Sequence, residues 1–75
     1  MKISYDTEAD ALYIRIGEGE FARNAEVLPG VILDIGKNSE LLGIEILEAS
    51  RRYALKDLAH VEIAMPLEVA GMHSE

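Results

Sequence analysis

Two stretches near the beginning of the chain alternate between polar and apolar residues, residues 2–5 and residues 11–16. A period of two that is rich in β-branched and aromatic side chains is typical of strands. Pairing Tyr5 with Leu12 brings the apolar side chains of both stretches onto one face and the polar side chains onto the other. The pattern therefore predicts an antiparallel hairpin with a turn over residues 6–10.

A second and clearer hairpin is predicted between Pro29 and Ser50. Pairing Ile35 with Leu42 continues in register along both strands and gives one face that is fully apolar. The connection between the strands contains Asn38, a residue that suits a positive φ. Six residues form the apolar face of this hairpin: Val31, Leu33, Ile35, Leu42, Ile44 and Ile46.

The opposite face of this hairpin is only half polar, because it combines the carboxylates of Asp34 and Glu45 with three large aliphatic residues. Exposed aliphatic side chains on a small sheet mark an interaction surface. The alternative is that a C-terminal helix covers them through Leu55 and Leu58, since sheets often bury a face against a helix. The three residues, which we take as a candidate interface, are Ile32, Leu41 and Leu47.

The segment between the hairpins is predicted to be mostly irregular. Residues 17–24 contain acids and two glycines around one phenylalanine, a composition typical of a mobile loop. Residues 25–28 are a candidate for a short third strand. Pro29 and Gly30 suit either a type II turn or a bend between strands, so pairing across them is left open.

The C-terminal third is predicted to hold a single helix. Ser50 is the expected N-cap of a helix over residues 51–59, and alternation over residues 61–65 indicates a further short strand. Residues 67–75 show no pattern and are expected to form a frayed tail. The fold class is thus α+β: a mainly antiparallel, meander-like sheet of about five strands with one short C-terminal helix, in a single domain over residues 1–66.

Length and charge narrow the classes of function. The chain has 75 residues, no cysteine and a net charge of −7. A domain of this size buries only about 60% of its unfolded surface, and without disulfides we expect a homodimer. The acidic charge disfavours nucleic acid as a partner and attracts a basic protein. The chain has neither an apolar run of membrane-spanning length nor the apolar core of a signal peptide, so we expect a cytoplasmic protein that binds no membrane.

Candidate chemistry is incomplete at each place where it is suggested. Asp6, Glu8 and Asp10 have the spacing of the first three ligands of a calcium loop, but the later glycine and glutamate are missing. Asp34 and Glu45 are neighbours on one hairpin face and form a candidate acid–base pair. We expect a non-enzymatic protein without metal or cofactor. The alternatives are a small carboxylate-based metal-binding protein or hydrolase, and a structural domain with no partner.

Two motifs together resemble a known family. They are YDTEADALYIRI over residues 5–16 and EVLPGVILDIGKNSELLGIEILEAS over residues 26–50. In this order and spacing they resemble the domain of unknown function 2283 family (DUF2283), which consists of small prokaryotic proteins. Asn38 and Ser39 replace the acidic residue and glycine that are common in the family's turn. The resemblance implies a compact β-rich domain with a helix, no established activity, and an antitoxin-like partnership of some members with small basic proteins.

Overall fold

A computed structural model describes residues 1–65 of the chain. Five antiparallel strands form one sheet with the order β1-β2-β5-β4-β3. The chain forms a β1–β2 hairpin and a β3–β4–β5 meander, and these two units join where β2 pairs with β5. The elements are β1 (Lys2–Asp6), β2 (Ala11–Arg15), β3 (Phe21–Leu28), β4 (Val31–Gly36), β5 (Leu41–Leu47), α1 (Ala49–Arg52) and α2 (Leu55–Leu58).

The first hairpin has the predicted register, in which Tyr5 pairs with Leu12. Asp6 fixes the turn that follows β1. Its carboxylate oxygen Oδ1 accepts hydrogen bonds from the backbone N–H groups of Glu8 (3.0 Å) and Ala9 (3.2 Å). An aspartate that binds the backbone two and three residues further on favours a turn over a continued strand, which is why β1 ends here.

The registers continue across the whole sheet, so both hairpins contribute to one apolar face. The predicted pairing of Leu33 with Ile44 in the second hairpin is confirmed. One row of side chains on this face crosses all five strands: Ile3, Ile14, Ile44, Leu33 and Ala25. The neighbouring row also crosses all five: Tyr5, Leu12, Ile46, Val31 and Leu28.

A β-bulge near the β4–β5 turn corrects the predicted register at one position. Ile35 pairs with Leu41 and not with Leu42. The turn has its positive φ at Ser39 (63°), whereas Asn38 is the residue that the sequence favours for it. Because the bulge interrupts the period of two, Leu41 no longer belongs to the half-polar face to which strict alternation assigns it.

Strand β3 is longer than predicted. It covers Phe21–Leu28, so residues 21–24 belong to the sheet and the predicted loop is wrong there. Pairing with β4 gives these residues backbone partners that their own sequence does not indicate. Pro29 and Gly30 connect the two strands as a hairpin, with Gly30 at φ 80°, and a register shift in β3 between Glu26 and Leu28 lies next to the turn.

Two single-turn helices stand where one longer helix is predicted. Tyr53, in extended backbone at φ −138°, separates Ala49–Arg52 from Leu55–Leu58. Helix α1 begins after Glu48, so Ser50 lies inside the helix and is not its N-cap. In residues 1–65, no helix has the length and apolar composition that crossing a membrane requires.

The predicted last strand is wrong, because residues 61–65 have irregular backbone. The predicted tail over residues 67–75 lies outside the described residues. The α+β prediction is therefore right only in part: the described chain is an antiparallel sheet to which the helices add very little.

The sheet is a single layer in the described part of the chain. Extensive packing between elements occurs between adjacent strands, and neither helix forms a comparable interface with the sheet. Among residues 1–65, the buried apolar side chains are those of Leu12, Leu42 and Ala49. A sheet with one apolar face normally buries that face against a second layer, so the described chain has an incomplete core.

Candidate interaction surfaces

The apolar face of the sheet, defined by the two rows above, is open in the described chain. Most of its side chains are only half-buried, and Leu28 at its edge is 60% exposed. The two rows contain no charged residue, and Arg23 lies beyond them on the edge strand, opposite Ile35. The described sheet thus presents a contiguous aliphatic surface.

The opposite face, which we call the polar face, carries a hydrogen-bonded group that spans four strands. The ring of Tyr13 crosses β5 at Gly43, where a Cβ atom would lie 2.8 Å from Tyr13 Cζ. The Tyr13 hydroxyl donates to Asp34 Oδ2 (2.9 Å), and Asn24 Nδ2 donates to Asp34 Oδ1 (2.6 Å). The hydrogen bond to Asp34 is the main reason why the pKa of Tyr13 lies above its ordinary value.

Sequence reasoning missed this group and considered Asp34 only with Glu45. The signal that could have revealed it is a tyrosine placed opposite a glycine on the next strand. Gly43 leaves room on the sheet surface, and the aromatic ring of Tyr13 occupies that room.

Two of the three candidate interface residues share the polar face. Ile32 lies between Glu45 of β5 and Glu26 of β3, and it is half-buried. Leu47 lies two residues beyond Glu45 on the same face and is also half-buried. Leu41 is 38% exposed and is separated from both by the β-bulge. The structure therefore places Ile32 and Leu47 on one face, with carboxylates beside Ile32, and places Leu41 outside it. That these residues form an interface stays a prediction.

Helix α1 crosses the end of the sheet and does not cover the polar face. Its Arg52 donates from Nε to the carbonyl oxygen of Leu47 (3.2 Å) and from Nη2 to the carbonyl oxygen of Pro29. These bonds tie the helix to the β3–β4 turn on one side. The alternative in which the C-terminal helix covers the candidate interface is not found in residues 1–65.

Asp10 anchors the first residues of α1 through hydrogen bonds. Its carboxylate accepts hydrogen bonds from the Tyr5 hydroxyl (2.6 Å), from the Ser50 N–H (3.0 Å) and from Ser50 Oγ (2.7 Å). Its carbonyl oxygen accepts from the Ala49 N–H (2.9 Å). The bonds from Tyr5 and then Ser50 lower the pKa of Asp10, and the bond to Asp10 raises the pKa of Tyr5. A turn residue 40 positions earlier thus caps the helix.

Three of the carboxylates considered for catalysis have different hydrogen-bond partners. Asp6 binds the backbone of its own turn, Asp10 binds Tyr5 and Ser50, and Asp34 binds two neutral donors. Within residues 1–65 no three histidine, aspartate or glutamate side chains lie close enough together to hold a metal ion. The hydrogen-bond partners of Asp6, Asp10 and Asp34 are thus separate from one another in the described chain.

In its described residues the protein is thus a small antiparallel β-sheet domain with one open apolar face. Its sequence matches the family model described as "Protein of unknown function (DUF2283)" over residues 2–50. The chain belongs to the DUF2283 family. The match includes all five strands and the beginning of α1, so the predicted resemblance is confirmed for the sheet as a whole.

One curated relative is similar over most of this chain. A protein of Methanosarcina mazei named "Putative hypoxanthine phosphoribosyltransferase" is 38% identical over 63 residues, which cover 81% of this chain and 50% of the relative. The chain thus spans about half the length of that relative. No solved structure matches the chain significantly.

Proposed function

We propose that the protein is a non-enzymatic, cytoplasmic protein-interaction module that forms a homodimer and binds a basic partner protein in an antitoxin-like manner. The observation that carries this proposal is the open apolar face of a single-layer sheet. Two faces of opposite character suit two different partners: a second copy on the apolar face, and a basic protein on the polar face.

The homodimer is supported by the apolar side chains that the described sheet leaves without a second layer. Ile3 is 37% exposed and Leu28 is 60% exposed, and most of the other side chains on the apolar face are only half-buried. Face-to-face packing of two such sheets would complete the core as a β-sandwich.

The partner on the polar face is supported by the surroundings of Ile32. Glu45 and Glu26 flank this aliphatic side chain, and Asp34 follows two residues later on the same strand. A net charge of −7 would steer a basic protein toward the chain, while burial of Ile32 and Leu47 would supply affinity. The expected partner segment has an apolar residue between lysines or arginines.

Adjacent residues on β4 provide a matched test of the dimer, because Ile32 and Leu33 point to opposite faces. We expect Leu33→Glu to convert the dimer to a monomer, since it places a charge in the centre of the apolar face. Ile32→Glu should leave the dimer intact. Sedimentation velocity measures the oligomeric state, and circular dichroism checks that each variant retains its sheet.

The milder Leu33→Ser variant keeps this test informative if Leu33→Glu does not fold. It should weaken self-association by about tenfold or more, as expected for the loss of a buried leucine contact. A wild-type protein that is monomeric at high micromolar concentration, or a dimer that both Leu33 variants retain, would refute the apolar-face dimer.

Capture from the native host tests the basic partner. The wild-type chain should retain one basic protein, and Ile32→Arg should lose it while remaining dimeric, because the substitution places a like charge against the partner. Reconstitution with the purified partner then measures affinity directly. Equal capture by the wild type and by Ile32→Arg would rule out the polar face as the binding surface.

A further inference from the structure

Two cations lie directly opposite each other on the polar face. Lys2 of β1 and Arg15 of β2 are cross-strand partners. Like charges that lie directly opposite each other destabilise a sheet, so this pair lowers the stability of the fold. In the described part of the chain the ion pairs are Lys37 with Glu20 and His60 with Glu62, and neither involves these two cations.

Asp34 lies in the same row of the sheet as these cations, and its carboxylate accepts hydrogen bonds from neutral donors. This row continues from Arg15 through Gly43 to Asp34. The two carboxylate oxygens of Asp34 accept from Tyr13 and Asn24, and the Tyr13 ring lies over Gly43 between Arg15 and Asp34. The Asp34 carboxylate in this row therefore has two hydrogen-bond donors, and neither of them is the guanidinium of Arg15. A local arrangement that opposes stability without a visible compensation is expected at functional sites.

The two cations line a cleft at the β1–β2 edge of the sheet. Its volume is about 220 Å³, which suits a small group and not a drug-sized ligand. The side chains that line the cleft include two cations, Lys2 and Arg15, and one anion, Glu18, together with apolar side chains. It is lined by Met1, Lys2, Arg15, Ile16, Gly17 and Glu18.

We propose that Lys2 and Arg15 form a binding site for a phosphate group of a small molecule. Arginine offers a planar pair of donors that matches phosphate oxygens, and lysine adds a compact second charge. Two adjacent cations match a doubly charged phosphate better than a singly charged carboxylate. The site goes beyond the proposed interaction function, and it stays accessible in a dimer formed through the apolar face.

Nuclear magnetic resonance on the full chain tests the site with inorganic phosphate as the probe. Titration should shift the backbone amide signals of Lys2 and of residues 15–18, while chloride and acetate at equal ionic strength should shift them much less. Arg15→Gln should weaken phosphate binding by about tenfold or more, the range expected for a lost charge-assisted hydrogen bond. Glu18→Gln should strengthen it, because it removes the negative charge from the cleft.

Two readouts separate a binding role from a structural one. Arg15→Gln and Lys2→Gln each remove a like-charge contact, so their thermal unfolding midpoints should equal or exceed that of the wild type while phosphate binding is lost. A titration with glycerol phosphate distinguishes the sources of the ligand: tighter binding than inorganic phosphate indicates a phosphorylated metabolite, and equal binding indicates the free ion. Equal shifts with acetate, or unchanged phosphate binding in Arg15→Gln, would overturn the proposal.

Discussion

At the scale of single residues, Gly43 fixes the polar face because Tyr13 lies across it. Alanine at this position would bring a methyl group against the phenol ring. We expect Gly43→Ala to destabilise the fold by about 1–3 kcal/mol, the usual range for overpacking. Tyr13→Phe should cost less, about 1 kcal/mol, because it removes only the hydrogen bond to Asp34. Urea denaturation measures both.

The matched control for this substitution is Gly19→Ala. A Cβ atom there meets the ends of two flexible side chains, Glu40 and Leu42, which can move aside. Its effect should therefore be small. The cost of Gly43→Ala should also shrink in a Tyr13→Ala background, since the two residues are in contact. An undiminished cost in that background would show that the tyrosine is not the cause.

Asp10 makes the stability of the protein depend on acidity. Its pKa is lower in the folded chain than in the unfolded chain, because Tyr5 and Ser50 donate hydrogen bonds to the carboxylate. A group with a lowered folded pKa stabilises the fold above its unfolded pKa of about 4, and this stabilisation is lost as the pH falls through the folded pKa. Wild type should therefore lose its advantage over Asp10→Asn below about pH 4.

Asparagine is the suitable replacement because Asp10 has a positive φ of 53°, which asparagine tolerates and alanine does not. Urea midpoints measured from pH 7 to pH 2 report the difference in stability between the two proteins. Glu8→Gln, an exposed acid of the same turn, serves as the control. A gap between wild type and Asp10→Asn that stays constant across this range would contradict the role of the Asp10 charge.

At the scale of elements, the turn between β4 and β5 stores avoidable strain. Ser39 has φ 63°, a conformation that costs a residue with a Cβ atom about 1 kcal/mol or more. We expect Ser39→Gly to raise the free energy of unfolding by about 0.5–1 kcal/mol, even after the added freedom of the unfolded chain is counted. Asn38→Gly is the matched control, since Asn38 has no positive φ, and it should stabilise nothing. Chemical denaturation that ranks the two variants in the opposite order would refute this account.

The strands that alternation marks strongly could be predicted, and the elements that depend on distant partners could not. The register of Tyr5 with Leu12 follows from parity alone. The first half of β3 has no alternation and becomes a strand only because β4 lies beside it. Helix α1 likewise begins one residue before Ser50 because Asp10, distant in sequence, caps it. The residues of an element do not indicate a strand or hydrogen-bond partner that lies far away along the chain.

At the scale of the whole molecule, the face on which each candidate interface residue lies could be predicted only where the strand stays regular. Alternation places Ile32 and Leu47 on one face, and the structure agrees. It fails for Leu41 because a bulge inserts one extra residue, which no pattern in the turn indicates. That residues 1–65 leave the apolar face open could not be predicted either, because it depends on how far the two helices reach.

Salt should distinguish the two proposed associations of the molecule. Two chains of net charge −7 repel each other, so a dimer held by apolar contacts assembles against that repulsion. Raising the ionic strength from 0.01 M to 0.1 M shortens the screening length from about 30 Å to about 10 Å. We therefore expect the dimer dissociation constant, measured by sedimentation equilibrium, to fall several-fold over this range.

The complex with a basic partner should respond in the opposite direction, because screening weakens the attraction between unlike charges. Glu45→Gln, which removes one negative charge from the polar face without touching the apolar face, should reduce both salt effects together. A homodimer that weakens as salt is added would mean that ion pairs hold it. In that event the dimer interface would lie on the polar face. The apolar face would then have to be covered by something other than a second copy of the chain.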